Sequence, residues 1–333
     1  MSVGISVLMP VYNGSFFLKD TLDSLVKQTY KDFEVICIDD GSTDNSLEIL
    51  NQYALDYSFI KVFTKQNEGT AAKAVNYGLK YAQGEYFMYT SQDDLFSENL
   101  LKINYLAAKK YNADAVVPKT IFYFPDAEND RGICGINGDY SRSISGNEAF
   151  SYSIDWEITG FVLWNSKLLS RIGGQFFDFS INADEYTTRL LYFYSNSVVF
   201  TEEVFYYRQN NPNSITKKWN PRLLESFATI NRLEAFIQAN SENKEEDLLR
   251  LWKALYHEVI RITSIFYSSR SSISQQDFQE IEGILKDIYI RRHIDLRTVT
   301  SNSMKERIRK DIVLVNYNFL KAFHFLSALI KNI

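Results

Sequence analysis

The sequence predicts an α/β fold with a mostly parallel central sheet and flanking helices, followed by an all-α region. In the first hundred residues, short apolar runs alternate with segments of helical periodicity, and polar turns end the apolar runs. Beyond about residue 217 only helical spacing is seen. The chain has 333 residues, 45% hydrophobic and 23% charged, which is an ordinary globular composition. We expect two domains, 1–216 and 217–333.

Four apolar runs in the first part of the chain predict strands, at residues 5–11, 33–38, 60–63 and 86–89. Three segments of helical spacing lie between these strands. The first is residues 15–29, and the third is residues 70–82. The second follows the strand at residues 33–38, and its expected N-terminal cap is Ser42 or Thr43. This βαβ order implies parallel strands, and ligands of such sheets bind at the carboxyl ends of the strands.

Polar pairs follow three of these strands. They are Tyr12-Asn13, Asp39-Asp40 and Asp93-Asp94. Because the carboxyl ends of parallel strands share one edge of the sheet, these pairs predict a ligand site there.

The rest of the chain is predicted more coarsely. Strands are expected at residues 115–118 and 198–200, and a helix at residues 184–195. The second domain is expected to contain helices near residues 222–240, 245–268, 274–289 and 305–331.

The charge is unevenly distributed between the two predicted domains. Residues 1–216 contain 17 basic and 27 acidic residues, a net charge of −10, whereas residues 217–333 contain 19 and 14, a net charge of +5. An acidic first domain favours metal or sugar-hydroxyl binding over a nucleic-acid partner. The sequence shows no secretory leader and no uncharged apolar run of membrane-spanning length, so we expect a cytoplasmic protein.

The scarce residues restrict the chemistry. Cys37 and Cys134 are the two cysteines, too few for a disulfide framework or a cysteine-based zinc site. The three histidines, His257, His293 and His324, all lie in the last quarter of the chain. A base in the first domain must therefore be a carboxylate, a lysine or a tyrosine.

Several segments then carry a family resemblance. They read SVLMPVYN, LDSLVKQTYKDFEVICIDDGSTDNSLEIL, NEG with NYGL, GEYFMYTSQDD, WNSKLLSRIG, ADEYTTRLLY and VFYYRQNNPNSIT. In order and spacing they resemble the bacterial family 2 glycosyltransferases, which have the Rossmann-like GT-A fold. The resemblance covers about two thirds of the chain, and the last hundred or so residues match no family pattern.

The resemblance implies transfer of a hexosyl residue from a UDP-sugar to an acceptor hydroxyl, with inversion at the anomeric carbon. The implied acceptor is a growing surface glycan, a glycoprotein or a lipid-linked glycan. Two other classes stay open: a catalytically silent relative that acts as a binding or assembly subunit, and, ranked lower, a sugar nucleotidyltransferase. The latter usually opens with a glycine-rich phosphate loop, whereas the first strand here ends in Pro10-Val-Tyr-Asn13.

The resemblance also assigns the nucleotide-sugar site. It implies that Asp40 accepts the uracil N–H and that Tyr12 offers its ring to the base. Lys73 either reaches a phosphate or is a solvated helix lysine, and Arg208 pairs with the diphosphate or with a closing loop. The implied binding residues are Pro10, Val11, Tyr12, Asn13, Asp40, Asn67, Lys73, Gln92, Asp93 and Arg208.

Asp93 is the implied metal ligand, for Mn²⁺ or Mg²⁺, which prefer carboxylate and phosphate oxygens. The usual Asp-Ser-Asp-Asp of the family reads Ser91-Gln92-Asp93-Asp94, so the first carboxylate is absent. The alternative interpretation of Asp93 and Asp94 is a solvated acidic turn.

Asp184 is the implied catalytic base, at a position where relatives often carry Glu-Asp and this chain has Ala183-Asp184. The alternatives are that Asp184 caps a helix, or that Glu185 is the base. Trp156 and Trp164 either pack in the core or line the acceptor side.

The helical region ends in an amphipathic segment. Its apolar stripe consists of Val313, Tyr317, Leu320, Phe323 and Leu326, and lysine and arginine residues surround it. It either packs as part of a helical domain or a self-association surface, or lies on an anionic membrane as a peripheral contact.

Overall fold

The structure, a computed structural model, describes residues 3–124, 131–212, 214–298, 317, 318, 320 and 321, and of residues 293–298 only the backbone. Contacts divide the chain into two compact units, Met1–Asn211 and Pro212–Ile333. The predicted domain boundary after residue 216 lies in the segment that follows this division.

The first unit is built on one ten-stranded sheet. Its strands are β1 (Ile5–Val11), β2 (Phe33–Asp39), β3 (Ile60–Thr64), β4 (Tyr86–Tyr89), β5 (Leu95–Phe96), β6 (Ala115–Tyr123), β7 (Arg131–Ile133), β8 (Ser143–Ile144), β9 (Leu163–Asn165) and β10 (Val198–Arg208). The order is β3-β2-β1-β4-β9-β6-β10-β5, with β7 added beside β6 and β8 beside β10.

The first four strands are parallel, as predicted, and β1 lies between β2 and β4. Ile5 is opposite Phe33 on one side and Tyr86 on the other. Every residue of β2 is buried, and β1 is buried except for Pro10, which explains why these strands read as continuous apolar runs. β9 runs antiparallel to both β4 and β6, so the sheet is mixed rather than uniformly parallel.

In the described residues of this unit, seven helices accompany the sheet: α1 (Leu18–Val26), α2 (Ser46–Asp56), α3 (Ala71–Leu79), α4 (Leu100–Tyr111), α5 (Gly146–Ile154), α6 (Leu168–Arg171) and α7 (Ala183–Phe193). The predicted helix at residues 184–195 is α7, and the one at residues 15–29 is shorter at both ends. The strands expected at residues 115–118 and 198–200 continue to Tyr123 and Arg208. No prediction covered α4, α5 or β9.

The second unit is helical in its described part, as predicted. A short 3₁₀ helix at Pro221–Glu225 leads into α8 (Ser226–Asn240), α9 (Lys244–Ser268) and α10 (Gln275–Thr298). Phe266 of α9 stacks on Phe278 of α10 at 4.4 Å between ring centroids, and Arg292 of α10 pairs with Glu234 of α8 at 2.6 Å. The stripe predicted within residues 305–331 lies outside the described residues except for Tyr317 and Leu320, which are buried. None of the described helices is both long enough and apolar enough to cross a bilayer.

Candidate active site

The carboxyl end of β1 turns sharply at Asn13, whose φ of 49° places it in the left-handed region. Its side-chain oxygen accepts the backbone N–H of Thr43 at 2.8 Å, and its own N–H donates to Ser42 Oγ at 3.1 Å. The Asn13 side chain therefore ties the end of β1 to the turn after β2. This leaves Tyr12, 48% exposed, on the surface beside Asp40 and its turn.

Gln92 fastens the backbone of Tyr12 from the other side. Its Oε1 accepts the Tyr12 N–H at 2.7 Å, and its Nε2 donates to the Tyr12 carbonyl at 3.0 Å. A Cβ at Gly14 would come within 2.3 Å of the Gln92 side chain, so a larger residue there would displace the Gln92 amide. The amide of Gln92 thus positions the predicted uracil-stacking segment, and a direct contact of Gln92 with the nucleotide stays a prediction.

Asp40 is buried at the carboxyl end of β2, and its backbone N–H donates to the Val11 carbonyl at 2.8 Å. Lys65 Nζ lies 2.7 Å from Asp40 Oδ1, and both side chains are more than nine-tenths buried. Burial alone would lower the pKa of Lys65, but the hydrogen bonds to Asp40 and Glu68 raise it above its usual value. Lys65, which no sequence prediction named, therefore fixes the Asp40 side chain at the end of β2.

Asn67 lies on the segment that connects β3 to α3, and Lys73 lies just beyond this segment, in α3. Asn67 is exposed, and its Oδ1 accepts the N–H of Gly69 at 2.7 Å. Thr70 caps α3 by accepting the Lys73 N–H at 3.4 Å, so Lys73 sits in the first turn of the helix, where anions are favoured. The contacts of Asn67 and Lys73 with a donor remain predictions.

Asp93 and Asp94 follow β4 and make different contacts. Asp93 is partly exposed, and its carboxylate oxygens accept Ser91 Oγ and Asn211 Nδ2, each at 2.7 Å. Asp94 is fully buried, its Oδ1 accepts the Arg208 N–H at 3.1 Å, and its Oδ2 has no hydrogen-bond partner among the described residues. Burial and the charge of Asp93 raise the pKa of Asp94 well above its usual value. Only Asp93 of this pair is therefore open to a ligand.

Arg208 closes this corner from the end of β10. It is buried, its Nε donates to the Asp93 carbonyl at 2.7 Å, and its Nη2 lies 3.1 Å from Asp20 Oδ2. The guanidinium also lies over the Phe17 ring, 4.3 Å from its centroid. Arg208 therefore fixes the backbone of Asp93, and the predicted contact of Arg208 with a diphosphate is untested.

The donor set at Asp93 fits a hard divalent cation only when the substrate supplies further ligands. Among residues 3–124, 131–212 and the described second unit, no group of three or more His, Cys, Asp or Glu side chains is placed to hold a metal. Mg²⁺ and Mn²⁺ in nucleotide sites are commonly held by one or two carboxylates together with phosphate oxygens and water. Asp93 matches that pattern, since each of its oxygens retains a second lone pair beside the hydrogen bond it accepts.

Asp184 lies in the first turn of α7. Burial raises its pKa to about 6, while the backbone N–H groups of Glu185 and of Asp184 itself and the charge of Arg189 act in the opposite direction. A carboxylate with this pKa is mostly ionised at neutral pH and is basic enough to take a proton.

Tyr89 and Tyr207 connect Asp184 with the acidic pair. Tyr89 ends β4 and Tyr207 lies one residue before the end of β10. Burial first, and then the charges of Asp184, Asp94 and Asp93, raise the pKa of both phenols above their usual value. The same three carboxylates thus lie within electrostatic range of both tyrosines. The fold thus brings the predicted metal ligand and the predicted base to one edge of the sheet.

The two tryptophans, Trp156 and Trp164, differ in how exposed they are. Trp164 on β9 is buried and packs against Tyr192 at 4.7 Å between ring centroids, so it belongs to the core. Trp156 is 40% exposed and follows α5. The alternatives left open by the sequence are therefore resolved for Trp164 alone.

Five residues that support the site were not predicted from the sequence. They are Lys65, Tyr89, Tyr207, Asn211 and Asp20. Tyr89 and Tyr207 could have been identified from the sequence, since both lie near strand ends and in segments that carry the family resemblance. The Asp20–Arg208 contact joins residues 188 positions apart, and only the folded chain reveals it.

The profile of glycosyl transferase family 2 matches residues 6–176, which is more than half of the chain. The chain is 28% identical over 254 residues to the glycosyltransferase GlyG of Streptococcus pneumoniae serotype 4, covering 68% of this chain and 79% of that relative. The cholesterol galactosyltransferase of Borreliella burgdorferi matches 36% of this chain and 33% of its own length, and the poly(ribitol-phosphate) beta-glucosyltransferase of Bacillus spizizenii matches 34% and 19%.

Two solved structures share the fold. Residues 1–349 of TarS from S. aureus, in complex with UDP, superpose with a TM-score of 0.65 at 18% identity, covering 98% of this chain and 88% of that one. The mannosyltransferase PcManGT from Pyrobaculum calidifontis, in complex with GDP-Man and Mn²⁺, gives a TM-score of 0.54 at 15% identity, covering 98% and 86%. With its GT-A architecture and this family match, the chain belongs to glycosyl transferase family 2 and is a glycosyltransferase.

Proposed function

We propose that this glycosyltransferase moves a hexosyl residue from a UDP-sugar to an acceptor hydroxyl, with inversion at the anomeric carbon. The observation that supports the proposal is the placement of Asp93, open to a ligand just beyond β4, and of Asp184 in the first turn of α7, whose charges act on the same two tyrosines, Tyr89 and Tyr207. A site that releases a diphosphate and accepts a proton needs both functions within one substrate length.

The nucleoside half of the site is the end of β1 and β2. In this proposal Asp40, which is paired with Lys65, accepts the N–H of a uracil ring. Tyr12 offers an exposed ring to the same base, and its backbone is held by Gln92. Because Lys65 is already paired with Asp40, we assign it to holding Asp40 rather than to binding phosphate.

The diphosphate would lie next to Asp93. When bound there, Mn²⁺ or Mg²⁺ supplies positive charge that neutralises the departing UDP. The chain itself orients Asp93 through Asn211 and Ser91 and holds its backbone through Arg208. Lys73, in the first turn of α3, adds a further positive charge in this proposal.

Asp184 completes the reaction. As the acceptor oxygen bonds to the anomeric carbon, the bond from that carbon to the UDP oxygen breaks, and the acceptor proton moves to the Asp184 carboxylate. With a pKa of about 6, about nine-tenths of Asp184 is ionised at pH 7, which suits a base. In-line attack from the face opposite UDP inverts the configuration.

The acceptor and the cellular setting are proposed at a coarser level. We propose a growing surface glycan, a glycoprotein or a lipid-linked glycan as acceptor, and a cytoplasmic enzyme at the inner face of the plasma membrane. The net charge of +5 in residues 217–333 supports contact with an anionic surface, and the same region is the proposed site of self-association.

A donor screen tests the proposal. UDP-, GDP- and dTDP-sugars are incubated with the full chain and Mn²⁺, and nucleotide release is measured with and without a panel of glycan acceptors. We expect release from one UDP-hexose, increased by an acceptor and abolished by chelation, and a product of inverted configuration. If no UDP-sugar is turned over or bound, the chain is a silent member of its family, and if only a GDP- or dTDP-sugar is used, the uridine assignment is wrong.

A further inference from the structure

Trp156 occupies a backbone position that is built for glycine. It is the second residue after the end of α5, and its φ is 64°. The Trp156 N–H donates to the Ser153 carbonyl at 3.4 Å and the Glu157 N–H to the Tyr152 carbonyl at 3.0 Å. This pair of bonds is the Schellman ending of a helix, in which the left-handed residue is usually glycine and sometimes asparagine. A bulky aromatic residue there is an outlier that costs the fold free energy.

Core packing does not explain the tryptophan. Its side chain is 40% exposed, whereas Trp164 nearby in sequence is buried. The chain therefore keeps an indole ring on its surface in a strained conformation, and such outliers cluster at functional sites.

The structure links Trp156 to the proposed base through one buried side chain. The Arg189 guanidinium lies 5.4 Å from the centroid of the Trp156 ring. Its Nη1 donates to the Glu185 carbonyl at 2.9 Å, and its charge acts on Asp184. Trp156 therefore lies close to the first turn of α7, which carries Asp184.

The segment after Trp156 is fixed to the same helix. The Thr159 carbonyl accepts the Tyr192 hydroxyl at 2.6 Å, and a Cβ at Gly160 would lie 3.1 Å from Thr188 Cγ2. The indole is consequently mounted on rigid elements, as a binding surface requires.

We propose that Trp156 is the stacking platform for the acceptor, and that the acceptor presents a pyranose ring. An exposed indole packs against the apolar C–H face of a sugar ring. Asp155 and Glu157 on either side are acidic, which suits hydroxyl groups at the rim of such a ring. This inference deepens the proposed function and rests on it.

Two substitutions distinguish the effect of the aromatic ring of Trp156 from the effect of its left-handed backbone conformation. Trp156→Asn removes the aromatic ring but keeps a residue that tolerates the left-handed conformation. Trp156→Phe keeps an aromatic face. Tyr111→Asn is the matched control, because Tyr111 is 53% exposed and ends α4 next to the amino end of β6, at the edge opposite the site.

The probes are 4-nitrophenyl hexopyranosides as ring acceptors and ribitol 5-phosphate as an open-chain acceptor. For the hexopyranoside that the wild type uses best, we expect Trp156→Asn to raise the KM at least about tenfold. Trp156→Phe and Tyr111→Asn should stay within about threefold of the wild type. UDP binding and acceptor-free release of UDP should be unchanged in all three variants, which a general structural defect would not permit.

Fluorescence titration gives a readout that does not need turnover. The chain has four tryptophans, so the titration uses the methyl glycoside of the same hexose, which does not absorb tryptophan emission. We expect this glycoside to change the emission of the wild type and of Tyr111→Asn but not of Trp156→Phe. An unchanged KM in Trp156→Asn, the same emission change in Trp156→Phe, or a preference for ribitol 5-phosphate would overturn the inference while leaving the proposed function intact. Absence of UDP release from the wild type would instead overturn the proposed function, and the titration would still decide the role of Trp156.

Discussion

Replacing Asp184 by asparagine should make the protein more stable at pH 8 while removing its activity. The raised pKa of Asp184 means that the folded state disfavours its ionised form. Asparagine has the same shape and still accepts the backbone N–H groups of the first turn of α7, but it carries no charge to desolvate. The substitution therefore removes a cost that the catalytic role imposes.

The size of the effect follows from the pKa. A rise from 3.8 to about 6 is about two pKa units, or about 3 kcal/mol at about 1.4 kcal/mol per unit. Because the Asp184 side chain retains some solvent contact, we expect about 1–2 kcal/mol, or an increase in Tm of about 2–8 °C for a unit of this size. The cost is fully present above about pH 7, falls to about half by pH 5 and to about a fifth at pH 4, and vanishes below the unfolded pKa.

Thermal unfolding at pH 8 and pH 5 measures this directly, with wild type, Asp184→Asn and Asp178→Asn compared at each pH. Asp178→Asn removes the charge of an exposed carboxylate six residues earlier and is the matched control for the loss of one charge. An Asp184→Asn variant less stable than the wild type at pH 8, or a gap equal at both pH values, would refute the reasoning.

Three further predictions concern the nucleotide side. Lys65→Met should destabilise the protein by about 3 kcal/mol and weaken UDP binding, because it leaves the Asp40 carboxylate buried without Lys65 as its partner. Melting curves measure the stability, and calorimetric titration measures UDP binding. Unaffected UDP binding would contradict the role given to Asp40. Gln92→Ala should raise the Kd for UDP about tenfold through the freed Tyr12 backbone, and a Kd equal to that of the wild type would show that this clamp is unimportant. Asp93→Asn should raise the Mn²⁺ concentration needed for half-maximal transfer by at least about tenfold, whereas an unchanged Mn²⁺ dependence of UDP release would exclude Asp93 as the ligand.

The parts of the fold that the sequence predicted are those with strong local signals. β1 and β2 are almost wholly buried, so their residues read as apolar runs regardless of context. α9 carries a clear helical stripe over 25 residues, and its bounds were expected within one residue. β9 has three residues and pairs with β4 and β6 only through long-range contacts, so no local period reveals it.

The residues of the site also divide into those that the sequence predicted and those that only the folded chain reveals. Asp40, Asp93 and Asp184 follow from motif resemblance, since each stands in a quoted segment. The contacts that prepare these residues do not follow, because they join distant positions: Gln92 holds the backbone of Tyr12 across 80 residues, and Lys65 reaches Asp40 across 25. Nor does the left-handed conformation of Trp156, since its sequence neighbours contain no turn signal.

The most direct test of the account is a comparison of wild type and Asp184→Asn with the UDP-sugar that the donor screen selects, in the presence of Mn²⁺ and a glycan acceptor. UDP binding by calorimetry and product formation are measured on the same preparations. We predict that the Kd of Asp184→Asn for UDP is within about twofold of that of the wild type and that the variant forms product at least about a hundredfold more slowly. Transfer by Asp184→Asn at the rate of the wild type would contradict it.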